Sequence, residues 1–268
     1  MNLDFLQVTF LSVLQGATEF LPISSSGHLI LPSLLFSWSD QGLAFDVAVH
    51  VGTLLAVLLY FRGEVQRLAT AAVKSVVGGE RSNDSRLAWM LIAATVPAGV
   101  AGLLFGDYVE QYGRSLPVIA STSIIFALLL LWSDNSGNKQ LSISNISWKI
   151  ALIIGFAQVL ALIPGTSRSG ITMTAALFCN MNRAAAARFS FLLSIPIIMA
   201  GGLLKGVELS QIGITASDWF LLFYAIAVSA GVAYLCIHYF LQLIEKLGFL
   251  PFVIYRVLLG IGLLVVAL

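Results

Sequence analysis

The chain has 268 residues, 59% of them hydrophobic and 10% charged, with a mean hydropathy of +0.95. Soluble globular domains carry about 25% charged residues, so this balance excludes that class and points to an all-α polytopic membrane protein, residues 1–268 forming one membrane domain. A net charge of +1 gives no electrostatic basis for binding nucleic acid, and two cysteines in apolar stretches, Cys179 and Cys236, make neither a metal-ligand spacing nor a disulfide framework.

The opening segment MNLDFLQVTF carries an aspartate where a signal peptide needs basic residues, so it reads as mature sequence. Residues 3–36 are apolar but broken: a short arm, then a proline with serines and a glycine, then another short arm. Arms of about 14 residues are too short to cross a hydrocarbon core about 30 Å thick, which predicts a re-entrant helical hairpin. Long apolar runs at 44–62, 86–106 and 115–133 follow as spans, with a loop over 62–86. The pattern then recurs, with a second broken segment at 147–181 and spans at 187–207, 217–240 and 249–267.

LQGATEFLPISSSGHL and FAQVLALIPGTSRSGI share a glutamine, a proline and a Ser-Gly step at offsets of about 142–143 residues. With three spans in each, the halves (about 1–134 and 147–268) are expected in opposite orientations, the arrangement of inverted repeats whose site lies where broken helices meet near the midplane. Arg62, Arg67, Lys74, Arg81, Arg86, Lys139, Lys149, Arg183, Arg188 and Lys246 fall on one side, against Arg114 and Lys205 on the other. The positive-inside rule then places the larger set in the cytoplasm and both termini outside. The first hairpin enters from outside and the second from the cytoplasm.

Polar residues concentrate in the two breaks. Gln15 and Glu19 are four apart and share a helix face. A carboxylate at membrane depth costs about 2.5–3.5 kcal/mol and marks a partner or a site, unless it sits solvated at the interface. Pro22 ends the first arm and Ser24, Ser25 and Ser26 open the second. Caps account for one or two of these serines, and a half-helix N-terminus of this kind also binds anions. His28 lies three to four residues after Ser24 and Ser25; a lone histidine is more often structural, but here proton transfer or phosphate contact is the alternative. His50 and His238 lack such neighbours and read as buried or interfacial polar residues. In the second break, PGTSRSGIT places Arg168 among Ser167, Ser169 and Thr172. Its planar fork suits phosphate oxygens, and neutralising Glu19 would be its bland role. One arginine, several hydroxyls, a histidine and a carboxylate at two half-helix N-termini suit a phosphate or diphosphate group.

These residues also carry a resemblance. The chain resembles the integral-membrane undecaprenyl-pyrophosphate phosphatases of the bacitracin-resistance type along its whole length. Their (E/Q)xxxE motif matches Gln15 to Glu19, FLPxSSxGH matches 20–28, PGxSRSxxT matches Pro164 to Thr172, and FLxxIxxxxFxPFxIYR is similar to 240–256. Many members have Glu where this chain has Gln15. The resemblance implies removal of the terminal phosphate from the C55 lipid carrier diphosphate, in a bacterial inner membrane and at a site facing the periplasm. It also implies a divalent cation, magnesium or calcium, and membrane lipid as surroundings; a homodimer is compatible with it. The catalytic candidates are Glu19, Ser25, His28 and Arg168, with Gln15, Ser24, Ser26, Ser167, Ser169 and Thr172 on the substrate. Glu19 is the base or a metal ligand. The nucleophile is Ser25, His28 or water. The competing reading is an inverted-repeat transporter or flippase of a phosphorylated lipid, which would need polar residues along a path. A second phosphatase superfamily with SGH and SRxxxxxH motifs fits less well, because Thr174 stands at its second histidine.

Overall fold

Asp4 starts the first helix, α1 (Phe5–Thr18), with a reciprocal cap. Its carboxylate accepts the Gln7 N–H at 2.8 Å, and the Gln7 side chain accepts the Asp4 N–H at 3.0 Å. The computed structural model describes residues 3–36, 38–209 and 216–267, so Met1 and Asn2 of the opening segment lie outside the described residues. Among the described residues strand pairing is limited to one isolated bridge, Leu141 to Met181. The first broken segment continues as α2 (Ser25–Phe36). Among the described residues six helices are long and apolar enough to cross a membrane: α3 (Gly42–Tyr60), α5 (Asn83–Gly113), α6 (Leu116–Asn135), α9 (Arg183–Leu209), α10 (Ala216–Leu247) and α11 (Leu250–Ala267). The second broken segment is α7 (Trp148–Gln158), a 3-10 turn Val159–Leu162 and α8 (Arg168–Phe178).

One expectation is corrected. The predicted loop over 62–86 begins with a helix, α4 (Arg62–Val77), in which only Leu68 is buried. Ala, Lys, Arg and Gln at its exposed positions are strong helix formers, so local propensity sustains a helix that hydropathy marks only as polar.

Packing follows an exchange between the two halves of the chain. α1 packs on α10 as α7 packs on α5, and α3 packs on α10 as α9 packs on α5. α6 lies against α11, and α3 against α9. The centre is aromatic: Phe20 meets Phe191 edge-on at 5.2 Å, and Phe191 meets Phe240 at 5.7 Å. Phe240 meets Phe252 at 5.2 Å. Phe20, Phe191 and Phe249 are fully buried, and such rings add about 0.5–1.5 kcal/mol per pair beyond their buried area.

The two breaks have the same local geometry at a constant spacing of 143 residues. Ser24 and Ser167 both take a left-handed backbone, φ 74° and 72°. Each serine Oγ accepts an N–H three residues on, from Gly27 at 3.3 Å and from Gly170 at 3.1 Å. Left-handed geometry costs a non-glycine residue roughly 1–2 kcal/mol, so something else must hold both turns. At Gly165, φ +88° and the absence of a side chain are both required, because a Cβ there would lie 2.2 Å from Thr122 Oγ1.

The unpaired carbonyls of the turns each find a side-chain donor. Ser169 Oγ donates to Leu21 O at 2.8 Å, and Thr122 Oγ1 to Pro164 O at 2.7 Å. Arg256 of α11 is fully buried and serves both turns. It donates to Pro22 O at 3.2 Å, Gly165 O at 2.8 Å and Thr166 O at 2.9 Å. In an apolar surround a carbonyl without a donor costs several kcal/mol, so this one guanidinium ties the two breaks together. Replacing Arg256 with Met should destabilise the fold by about 3 kcal/mol or more, and Arg256→Lys, with one donor head, should restore only part. Thermal unfolding in detergent checks this; an Arg256→Met protein as stable as the parent would remove the tie.

Candidate functional site

Glu19 ends the first arm with its carboxylate nearly enclosed, its side chain 7% exposed. Oε1 accepts from Arg168 Nη2 at 2.9 Å. Oε2 accepts from Ser25 Oγ at 2.5 Å and from Gln15 Nε2 at 3.1 Å. The helix period puts Gln15 beneath Glu19, while the turn at Pro22 swings Ser25 back onto the same carboxylate. Arg168 arrives from the second break, where it is the first residue of α8. A second arginine nitrogen donates to Ser190 O at 3.2 Å, and the guanidinium stands 6.0 Å from the Phe20 ring centroid. The pair with Glu19 therefore exists, and it lies in the wall of a cavity.

That cavity has a volume of about 680 Å³, and Glu19 and Arg168 line it together with Asp46, His50, Arg114 and Lys205. Its α9 wall runs from Ile197 to Lys205, eight residues and about 12 Å along the helix. Arg114 bridges to Asp40 at 2.9 Å on the wall opposite. Three carboxylates (Glu19, Asp40 and Asp46) face three cations (Arg114, Arg168 and Lys205), so the lining carries little net charge of its own.

The remaining sequence candidates divide. Ser24 and Ser167 spend their hydroxyls capping α2 and α8, as a purely structural reading has it. Ser26 is exposed and lies 3.4 Å from Ser24 Oγ, and Ser169 is 3.1 Å from Ser167 Oγ. Thr172 is buried, its hydroxyl 2.7 Å from Ser190 Oγ and bonded to the carbonyls of Arg168 and Ser169. His28 shares α2 with Ser25 but does not line the cavity. Its Nδ1 lies 2.7 Å from Ser24 O, so that nitrogen carries the proton, and Nε2 accepts from the Tyr255 hydroxyl at 2.7 Å. Both ring nitrogens are thus occupied away from Glu19, because the ring lies across the turn and stacks on Tyr255.

His50, set aside in the sequence, does reach the site. Its Nδ1 donates to Asp46 O at 2.7 Å, which leaves Nε2 facing the cavity 3.9 Å from Glu19 Oε2. The available signal was Asp46 and His50 four apart within one apolar span, two ionisable residues on one helix face. The structural role of Arg256 carries no signal in the sequence, because nothing local to α11 shows that it meets both turns.

Among the described residues no cluster of three or more His, Cys, Asp or Glu could hold a metal ion unaided. Magnesium in phosphate-handling sites is bound by one or two carboxylates together with the phosphates themselves. Glu19 and Asp46 in one cavity meet that simpler requirement.

A family model described as bacitracin resistance protein BacA matches residues 8–262. The chain is 57% identical over 263 residues to an undecaprenyl-diphosphatase of Hahella chejuensis, covering 98% of both chains. It is 54% identical to undecaprenyl-diphosphatase 1 of Pseudoalteromonas translucida over 98% of both, and 54% identical to an undecaprenyl-diphosphatase of Saccharophagus degradans over 97% of both.

Arg168, its side chain 14% exposed, presents a guanidinium to the cavity. Replacing it with Ala should weaken inorganic phosphate binding about tenfold or more, the loss expected for one charged hydrogen bond. Titration calorimetry in detergent reads this, and unchanged affinity would place the anion elsewhere.

Proposed function

We infer from its membership of the bacitracin resistance protein BacA family, to which the chain belongs, that it hydrolyses undecaprenyl diphosphate and so recycles the lipid carrier of cell-wall synthesis. It is a multi-pass membrane hydrolase. One observation carries the assignment of its chemistry: a serine hydroxyl donating to a buried carboxylate whose other oxygen is held by an arginine. A nucleophile hydrogen-bonded to its base, and the base fixed by a third group, is the arrangement that activates a weak hydroxyl.

In this reading the terminal phosphate enters the charged cavity and draws Arg168 from Glu19. The guanidinium, with the half-helix N-terminus of α8, stabilises charge on the equatorial oxygens. Ser25 Oγ attacks the terminal phosphorus and its proton passes to Glu19. The bond to the bridging oxygen breaks, and the electron pair leaves with the lipid monophosphate. Water then attacks the phosphoserine, giving one proton to regenerate Ser25 and releasing inorganic phosphate. Direct attack by water, with Glu19 as base, is the rival route. Gln15 fixes Glu19 Oε2. His28 fixes the turn on which Ser25 stands, which is a positioning role rather than proton transfer to substrate.

A divalent cation entering with the diphosphate would be held by Glu19 or Asp46 and would offset its negative charge. The near-neutral lining of the cavity supports this, since three carboxylates against three cations leave no surplus for a multiply charged anion.

In the same reading the two breaks are re-entrant hairpins in inverted halves, about 1–134 and 147–268. The recurring turn geometry and the exchanged packing pattern support it. Arg114 and Lys205, the two cations opposite the larger basic set, both line the cavity, which supports a site opening to the periplasm with both termini outside.

Purified protein given a polyprenyl diphosphate with a divalent cation should release inorganic phosphate; no release across several chain lengths would sink the enzyme reading. Glu19→Ala and Arg168→Ala should each abolish turnover in protein that remains folded, and near-normal activity in either would misplace the site. For the nucleophile, acid quenching should trap phosphate on Ser25, and Ser25→Ala should lose at least about a thousandfold in turnover. Full activity of that variant would leave water as the attacker.

A further inference from the structure

A second cavity, about 260 Å³, shares a wall with the first. Asp46, His50 and Arg114 line both, so these three side chains form a partition between two chambers. Beyond the partition the character changes. The smaller chamber is lined by Leu29 and Ile30 of α2, Gly106 and Val109 of α5, and Leu162 and Pro164 at the second break, with the exposed Ser26 and with Gln41, whose amide donates to Asp46 of the partition at 3.1 Å. Both breaks therefore contribute to it, one residue away from the Ser25 hydroxyl that meets Glu19.

We propose that this smaller chamber binds the head-proximal isoprene units of the substrate, so that the partition separates the phosphate end of the lipid from its hydrocarbon. The inference rests on the phosphohydrolase reading above and assigns the chain end of that same site. Energetics decide between the chambers. Each buried CH₂ gains about 0.8 kcal/mol, whereas hydrocarbon laid over charged groups strips their solvent at a cost of several kcal/mol per group. The larger cavity presents six charged side chains. To the shared wall the smaller adds five apolar side chains, one glycine, one amide (Gln41) and one hydroxyl (Ser26), none of them charged, so hydrocarbon belongs there and phosphate in the larger.

Gly106 gives an independent indication. It sits within α5, where glycine costs roughly 0.5–1 kcal/mol relative to alanine. Neither a turn nor a close neighbour requires it, for a Cβ built there meets nothing within 4 Å. What the missing side chain leaves is room in the chamber. A volume of about 260 Å³ falls below the usual range for a drug-sized ligand, so it takes the first units of a long prenyl chain and no more. The rest meets an apolar surface beside the chamber, since Leu103, Leu104 and Phe105, just before Gly106, are 69%, 70% and 57% exposed.

Binding tests this without depending on turnover. Farnesyl monophosphate and methyl phosphate present the same headgroup, with and without a prenyl chain. Gly106→Leu fills the chamber in a place with no neighbours to displace, and should weaken farnesyl monophosphate about tenfold or more relative to methyl phosphate. Gly99→Leu, two turns earlier in α5, also lacks neighbours and lines neither cavity, so it should leave that ratio as in the parent protein. Gly202→Leu narrows the larger cavity and should weaken both ligands alike. A parent-like ratio in Gly106→Leu overturns the proposal, and so does a selective loss of the prenyl ligand in Gly202→Leu. If the parent protein binds both ligands yet releases no phosphate from farnesyl diphosphate, the hydrolase reading fails while the binding ratio still decides the chamber.

Discussion

Everything at the centre of this protein hangs on one buried guanidinium. Two helices stop at breaks buried inside the protein and leave carbonyls that neither water nor a helix ladder can satisfy. Arg256, on a third and distant helix, donates to carbonyls of both stops. A charge in such a place is expensive alone, and carbonyls in such a place are expensive alone; each removes the other's cost. With the breaks fixed, Ser24 and Ser167 are held in a backbone geometry that most residues avoid, and the helix starts beyond them face inward.

The repeated geometry of the two breaks has an asymmetric result. Ser25 and Arg168 occupy equivalent places, each the residue after the strained serine and each the first of its helix. Both turn onto Glu19, one taking each carboxylate oxygen. The equivalent of Glu19 itself, Leu162, carries no acid. A symmetric scaffold thus brings a nucleophile candidate and a cation to one acid from opposite sides, with a single copy of each. Polar capping, close turns and helix dipoles are shared between the breaks, while the chemistry differs at a few positions.

Much of this is legible in the residues themselves. Composition and run length gave all six long helices to within a few residues at most ends, because hydrocarbon thickness constrains length so strongly. The four-residue step from Gln15 to Glu19 and the cost of an unpaired Arg168 pointed to the ion pair now seen. Three things were hidden. His50 meets Glu19 only because α3 packs beside the first break, and no local pattern reports packing between distant segments. The carbonyls that Arg256 serves belong to the backbone, which the sequence does not display. The hydroxyls of Ser24 and Ser25 look alike on paper, yet one caps a helix and the other meets the carboxylate; only the left-handed turn at Ser24 separates them.

The aromatic centre bears on the membrane as well as on the fold. The cavity that reaches Arg168 is lined by charged groups and stands among membrane-spanning helices, and a polar cavity in such a setting invites ion leakage. Directly against Arg168 lies Phe20, buried on Phe191, which in turn packs on Phe240. Those rings offer no chain of donors and acceptors along which a proton could hop, and no ligand for a hydrated ion. On that side of Arg168 the rings therefore close the polar cavity with hydrocarbon, through which an ion or proton passes poorly.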